Sequence, residues 1–63
     1  MKNNMRKIRK ERGMTIEELA EIAKVSAVYI YHLENGTRDN PSYGVMRDIA
    51  RGLETTIEAV FGE

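Results

Sequence analysis

A chain of 63 residues, 41% hydrophobic and 32% charged, has room for one small domain, residues 1–63, and buries only about 60% of its unfolded surface, which leaves little depth for a substrate cleft. It has no cysteine, hence no disulfide framework or thiolate metal site, and it lacks both the roughly 20 apolar residues of a membrane span and a signal-peptide core; a cytoplasmic protein without cofactor, metal, membrane or small-molecule ligand is expected. Ten basic and ten acidic residues cancel, but unevenly: the first 12 residues set six cations against Glu11, a balance of +5, and the remainder sets four against nine acids, a balance of −5, so a polyanion would meet a positive first helix on an acidic body.

Apolar residues recur at helical spacing and no stretch alternates as a strand does, so the expected fold is all-α, with five helices. The first helix follows Asn4, with Met5 and Ile8 as a narrow apolar stripe, Arg6, Lys7 and Lys10 pointing elsewhere, and Gly13 as its left-handed stop. The second opens on "TIEE", a capping box of Thr15 and Glu18 with Met14 and Leu19 as hydrophobic staple, and continues through Ala20, Ile22 and Ala23. Only Lys24 and Val25 precede Ser26, the cap of a third helix, so the two helices meet at a sharp corner. Asn35 and Gly36 close that helix, and "TRDNP" makes a polar turn. Ser42 then caps a fourth helix with Val45, Met46, Ile49, Ala50 and Leu53 inward, weakened somewhat by Gly44 and Gly52. Thr55 and Thr56 lead into a short fifth helix carrying Ile57, Val60 and Phe61.

Residue types that carry catalysis are not arranged for it. Glu17, Glu18 and Glu21 read as a helix start and a solvated face. His32, the single histidine, makes a very poor metal site without cysteine or a second imidazole. Met5, Met14 and Met46 read as core filler. No nucleophile and base fall together and no glycine-rich phosphate loop appears, so an enzyme is not expected. On a wheel with Ile30 and Leu33 facing the core, the third helix presents Val28, Tyr31, His32 and Asn35 outward, with Ala27 and Tyr29 on the flanks.

The stretches "TIEELAEIAKVSAVYIYHLENG" and "NPSYGVMRDIARGLETTIEAVF" together resemble the Xre/Cro-type phage-repressor family, with its helix-turn-helix at helices two and three. Leu19, Ala20, Ala23, Val25, Ser26, Ile30 and Leu33 fall where that motif places core and capping residues, and Ala20 lets helices two and three approach closely. The resemblance implies a lambda-repressor-like domain that regulates transcription, as a repressor in the first instance, by inserting helix three into the major groove of double-stranded DNA as a homodimer. It implies base contacts from Ala27, Val28, Tyr31 and His32. The first two can only pack against thymine methyls, while Tyr31 and His32 can hydrogen-bond. Phosphate contacts are implied at Thr15, Ile16, Asn35, Thr37, Arg38 and Ser42, with Lys24 adding charge near the surface and Tyr29 flanking. A buried structural pair of Arg9 and Glu34 is implied as well; the competing reading makes Arg9 a phosphate contact. Tyr43, Thr56, Ile57, Val60 and Phe61 are the expected dimer surface, although Val60 and Phe61 also suit the closing of a monomer core. The alternative is a protein-interaction module on the same fold, antitoxin-like or anti-repressor-like, which the neutral charge and the Val28–Tyr31 surface would suit.

Overall fold

A computed structural model describes residues 3–62. Five helices follow in chain order: α1 Met5–Glu11, α2 Ile16–Ala23, α3 Ala27–Glu34, α4 Tyr43–Gly52 and α5 Ile57–Phe61. No strand occurs among the described residues.

Local chemistry sets most of the boundaries. Thr15 Oγ1 accepts the Glu18 N–H at 3.0 Å while Glu18 Oε1 accepts the Thr15 N–H at 2.8 Å, the reciprocal capping box. Ser26, Ser42 and Thr56 accept from Tyr29, Val45 and Ala59 and so start α3, α4 and α5. Gly13 at φ 66° and Gly36 at φ 82° take the left-handed turns that follow α1 and α3. Lys24, the C-cap of α2, also lies in the left-handed region, at φ 61° and ψ 41°, where an L side chain crowds the following carbonyl. Glu54 (φ 58°) shares that conformation after α4.

Helix α1 is held by distant parts of the chain. Asn4 does not cap it with its side chain; its N–H donates to Val60 O at 2.8 Å and its Nδ2 to Ala59 O at 3.0 Å, tying the start of α1 to α5. Asn3 caps in its place, its Oδ1 accepting the Met5 N–H at 3.0 Å while its Nδ2 donates to Leu33 O at 2.9 Å at the far end of α3.

Met5, Leu19, Ile30, Leu33, Ile49, Leu53 and Val60 are wholly buried, with Ala20, Ala23 and Ala50 filling between them. Each large aliphatic side chain removed from water contributes about 1.5–3 kcal/mol, and this shared core orients all five helices. Helix α2 packs on both α3 and α4, α4 on α5, and α1 on α5. Gly52, expected only to weaken α4, lies buried where α4 meets α2: a Cβ there would stand 3.1 Å from Leu19 Cδ1 and 3.1 Å from Ile22 Cγ2. Ile22 flanks this crossing and remains 53% exposed. Met46, expected inward, is only half-buried and lies outside the core, one turn from the exposed start of α4.

Candidate nucleic-acid interface

The α3 helix is anchored on one side and open on the other. Ile30 and Leu33 are wholly buried, whereas Val28 is 64% and Tyr31 54% exposed. Ala27 and Tyr29 are half-buried on the flanks and pack against the core. Asn35, the C-cap, extends the exposed strip by one turn.

His32 departs from its expected outward position. It is half-buried, its ring stands edge-on to Tyr31 at 5.5 Å, and its Nδ1 is enclosed without a hydrogen-bond partner. After Gly36 the chain turns back over α3, and the Arg38 N–H donates to His32 O at 3.1 Å. A helical wheel does not contain that return. Only Nε2 is left for a partner outside the chain.

The same return builds the end of α3. Asn35 Oδ1 accepts both the Thr37 N–H at 3.1 Å and the Thr37 hydroxyl at 2.7 Å. Thr37 has therefore spent its one hydroxyl proton inside the turn, while Asn35 keeps its Nδ2 protons for an acceptor. The Arg38 guanidinium lies 5.2 Å above the ring of half-buried Tyr29, a cation–π contact that holds a positive charge beside α3. Ser42 and Thr15 are exposed, and each uses its hydroxyl oxygen to cap a helix, which leaves the hydroxyl proton available. Ile16 is half-buried against the core and Lys24 is exposed at the corner.

Behind this surface, Arg9 and Glu34 join α1 to α3 through two parallel bonds, Nε to Oε2 at 2.7 Å and Nη2 to Oε1 at 3.1 Å. Arg9 Nη1 adds a bond to Met14 O at 2.8 Å. Only 9% and 5% of the two side chains are exposed. The hydrogen bond to Glu34 raises the Arg9 pKa above the usual guanidinium value against the opposing effect of burial, with help from the charges of Glu34 and Glu17. A second, exposed pair joins Arg12 to Glu54 at 3.3 Å, with Arg12 Nη2 also donating to Glu54 O at 3.2 Å. Residue spacing gave no sign of it.

Among the residues expected at a dimer surface, Val60 is wholly buried within its own chain, so for this residue the core reading holds. Ile57 and Phe61 are half-buried against the core, while Thr56 is exposed and Tyr43 is 66% exposed. Among the described residues, no group of three or more His, Cys, Asp and Glu comes together around a possible metal ion, and no helix is long and apolar enough to cross a membrane.

A capped helix, a two-residue corner turned by the left-handed Lys24 and a second capped helix with one open face define a helix-turn-helix unit, completed by three supporting helices. A helix-turn-helix family model matches residues 5–60, and the chain belongs to that family, of the Xre type. It is similar to the HTH-type transcriptional regulator SinR of Bacillus licheniformis, 29% identical over 59 residues, covering 94% of this chain and 53% of SinR. It is likewise similar to the HTH-type transcriptional repressor RghR of Bacillus subtilis strain 168, 34% identical over 56 residues, covering 89% of this chain and 42% of RghR. The chain thus spans about half the length of these relatives. Among solved structures, the biofilm master regulator SinR in complex with DNA superposes with a TM-score of 0.81 at 30% identity, covering 86% of each chain. The clp gene regulator ClgR from C. glutamicum superposes with a TM-score of 0.77 at 30% identity, over 84% of this chain and 68% of that one.

Proposed function

We propose that this chain is the DNA-binding unit of a transcriptional regulator, acting in the cytoplasm, that places the exposed strip of α3 in the major groove and works as a homodimer. The observation that carries this is the open ridge of Val28 and Tyr31 on a helix-turn-helix whose fold matches SinR bound to DNA. Repression is the output we favour, since RghR is a repressor.

Base discrimination falls to Tyr31, whose hydroxyl donates or accepts, and to methyl packing by Val28 and Ala27 against thymine, with His32 contributing through Nε2 alone. Arg38, Asn35 Nδ2, Ser42 and Thr15 are the phosphate donors that the geometry favours, with Ile16 and Lys24 at the two ends of α2. Tyr29 acts by holding Arg38, and Thr37 by holding Asn35. A twofold dimer would set two α3 helices about 34 Å apart along one face of the duplex and double every contact. Tyr43, Thr56, Ile57 and Phe61 supply the surface for that pairing.

Selection from a randomised duplex pool at near-physiological salt yields the preferred site. On it, Tyr31→Ala loses about 1–3 kcal/mol, with little change on random DNA; equal losses on both would remove Tyr31 from base readout. A protein partner docked on Val28 and Tyr31 is the competing role, and the solved complex of SinR with SinI, matching with a TM-score of 0.86 over 94% of this chain and 57% of that one, includes this fold. Salt separates the two, because phosphate-driven binding weakens steeply as salt rises whereas apolar contact does not.

A further inference from the structure

Arg6, Arg9, Ile16, Tyr31, Glu34 and Asn35 line a recess of about 300 Å³ alongside α3. Two of its charges are committed to each other, since Arg9 and Glu34 form the paired floor. The remaining cation is Arg6, which is exposed and is held by no hydrogen bond or ion pair among the described residues. Tyr31 and Asn35, one turn apart, put this recess along one flank of the exposed strip. Tyr29 lies about 200° around the helix from Tyr31, and it carries the Arg38 guanidinium at 5.2 Å. One cation therefore stands on each side of α3.

We infer that Arg6 and Arg38 form a two-sided phosphate clamp, each contacting the sugar–phosphate backbone of a different strand while α3 lies in the groove between. This rests on the DNA reading proposed above and adds a strand assignment and a contact from α1. A major groove about 12 Å wide is walled by two phosphate ridges and admits one helix of about that diameter, so cations on opposite flanks face opposite walls. The start of α2 needs such help. Glu17 and Glu18 put two carboxylates in its first turn, and the Glu18 N–H is already given to Thr15, which makes that helix end a poor anion site without an added positive charge. Arg9 cannot supply the charge, being neutralised by Glu34.

The test measures affinity of the full chain for the tightest duplex recovered from a randomised pool, across a salt series. Arg6→Ala and Arg38→Ala each lower the slope of log Kd against log salt by about 0.9, and the double variant by about twice that. Arg6→Lys keeps the wild-type slope where Arg6→Ala lowers it, a contrast that follows the charge at this position. Replacing single phosphates by neutral methylphosphonates then maps each contact: the position that ceases to matter in Arg6→Ala lies on the strand opposite the one that ceases to matter in Arg38→Ala. A salt slope unchanged in Arg6→Ala, or both positions on one strand, overturns the clamp and leaves α3 readout standing. Failure of the unmodified chain to bind any duplex in a salt-dependent manner overturns both.

Discussion

Removing Glu34 is the sharpest test of what holds α3 in place. Arg9, whose side chain is only 9% exposed beside Glu34, keeps in Glu34→Ala one of its three hydrogen bonds, the one to Met14 O. Breaking one side of a buried ion pair costs about 3–5 kcal/mol, since the surviving charge stays out of water without compensation. A 63-residue domain has a total stability of roughly 3–9 kcal/mol at about 0.05–0.15 kcal/mol per residue. The variant should thus be largely unfolded or melt far below the wild type. The double replacement Arg9→Met with Glu34→Leu removes both charges at similar volume and should return to within about 1 kcal/mol of wild type. Urea denaturation followed by circular dichroism measures the stability of all three proteins. A loss below about 1 kcal/mol in Glu34→Ala would refute the claim that the guanidinium depends on this partner. Because the Arg9 pKa is raised, the stability it contributes is complete below the ordinary guanidinium value and is lost only as pH rises beyond it. No Arg9-dependent transition is therefore expected in ordinary buffers. The double variant also decides between anchor and phosphate contact: an anchor leaves the salt dependence of DNA binding intact, whereas a contact flattens it.

Lys24→Gly should stabilise the fold by about 0.5–1 kcal/mol, because relief of a left-handed residue, about 1–2 kcal/mol, exceeds the added freedom of glycine in the unfolded chain, about 0.5–1 kcal/mol. A lowered melting temperature would show that the Lys24 side chain contributes something the geometry does not reveal. Gly52→Ala gains about 1 kcal/mol of helix propensity but forces a methyl to 3.1 Å from wholly buried Leu19, at a cost of about 1–3 kcal/mol. A net loss near 1 kcal/mol is expected by thermal melting, and net stabilisation would mean that the crossing of α2 and α4 has slack.

What could be read from the sequence, and what could not, divides by how far apart the interacting groups lie along the chain. Thr15 with Glu18 and Ser26 with Tyr29 are separated by three residues, so the capping rules reach them and the five helices follow. The burial of Leu19, Ile30, Leu33 and Ile49 follows equally from helical period. Asn3, by contrast, finds Leu33 O 30 residues away, Asn4 finds Ala59 O at 55, and Arg12 finds Glu54 at 42. No local pattern encodes these, yet they fix the rotation of α1 about its own axis. That rotation decides which of the clustered cations stands beside Tyr31, and with only Met5 and Ile8 as its apolar stripe α1 could not declare it alone. His32 is less exposed than the helical wheel implied, with Nδ1 enclosed and its carbonyl taken by the Arg38 N–H of the following turn, a bond that helical period does not encode. A chain of zero net charge is thus a poor guide to nucleic-acid affinity when taken as a sum. Within a Debye length of about 8–10 Å, what counts at the α3 ridge is the local set: Arg9 neutralised by Glu34, Arg38 tethered over Tyr29, Arg6 without a partner among the described residues, and the Glu17 carboxylate whose charge reaches Arg9.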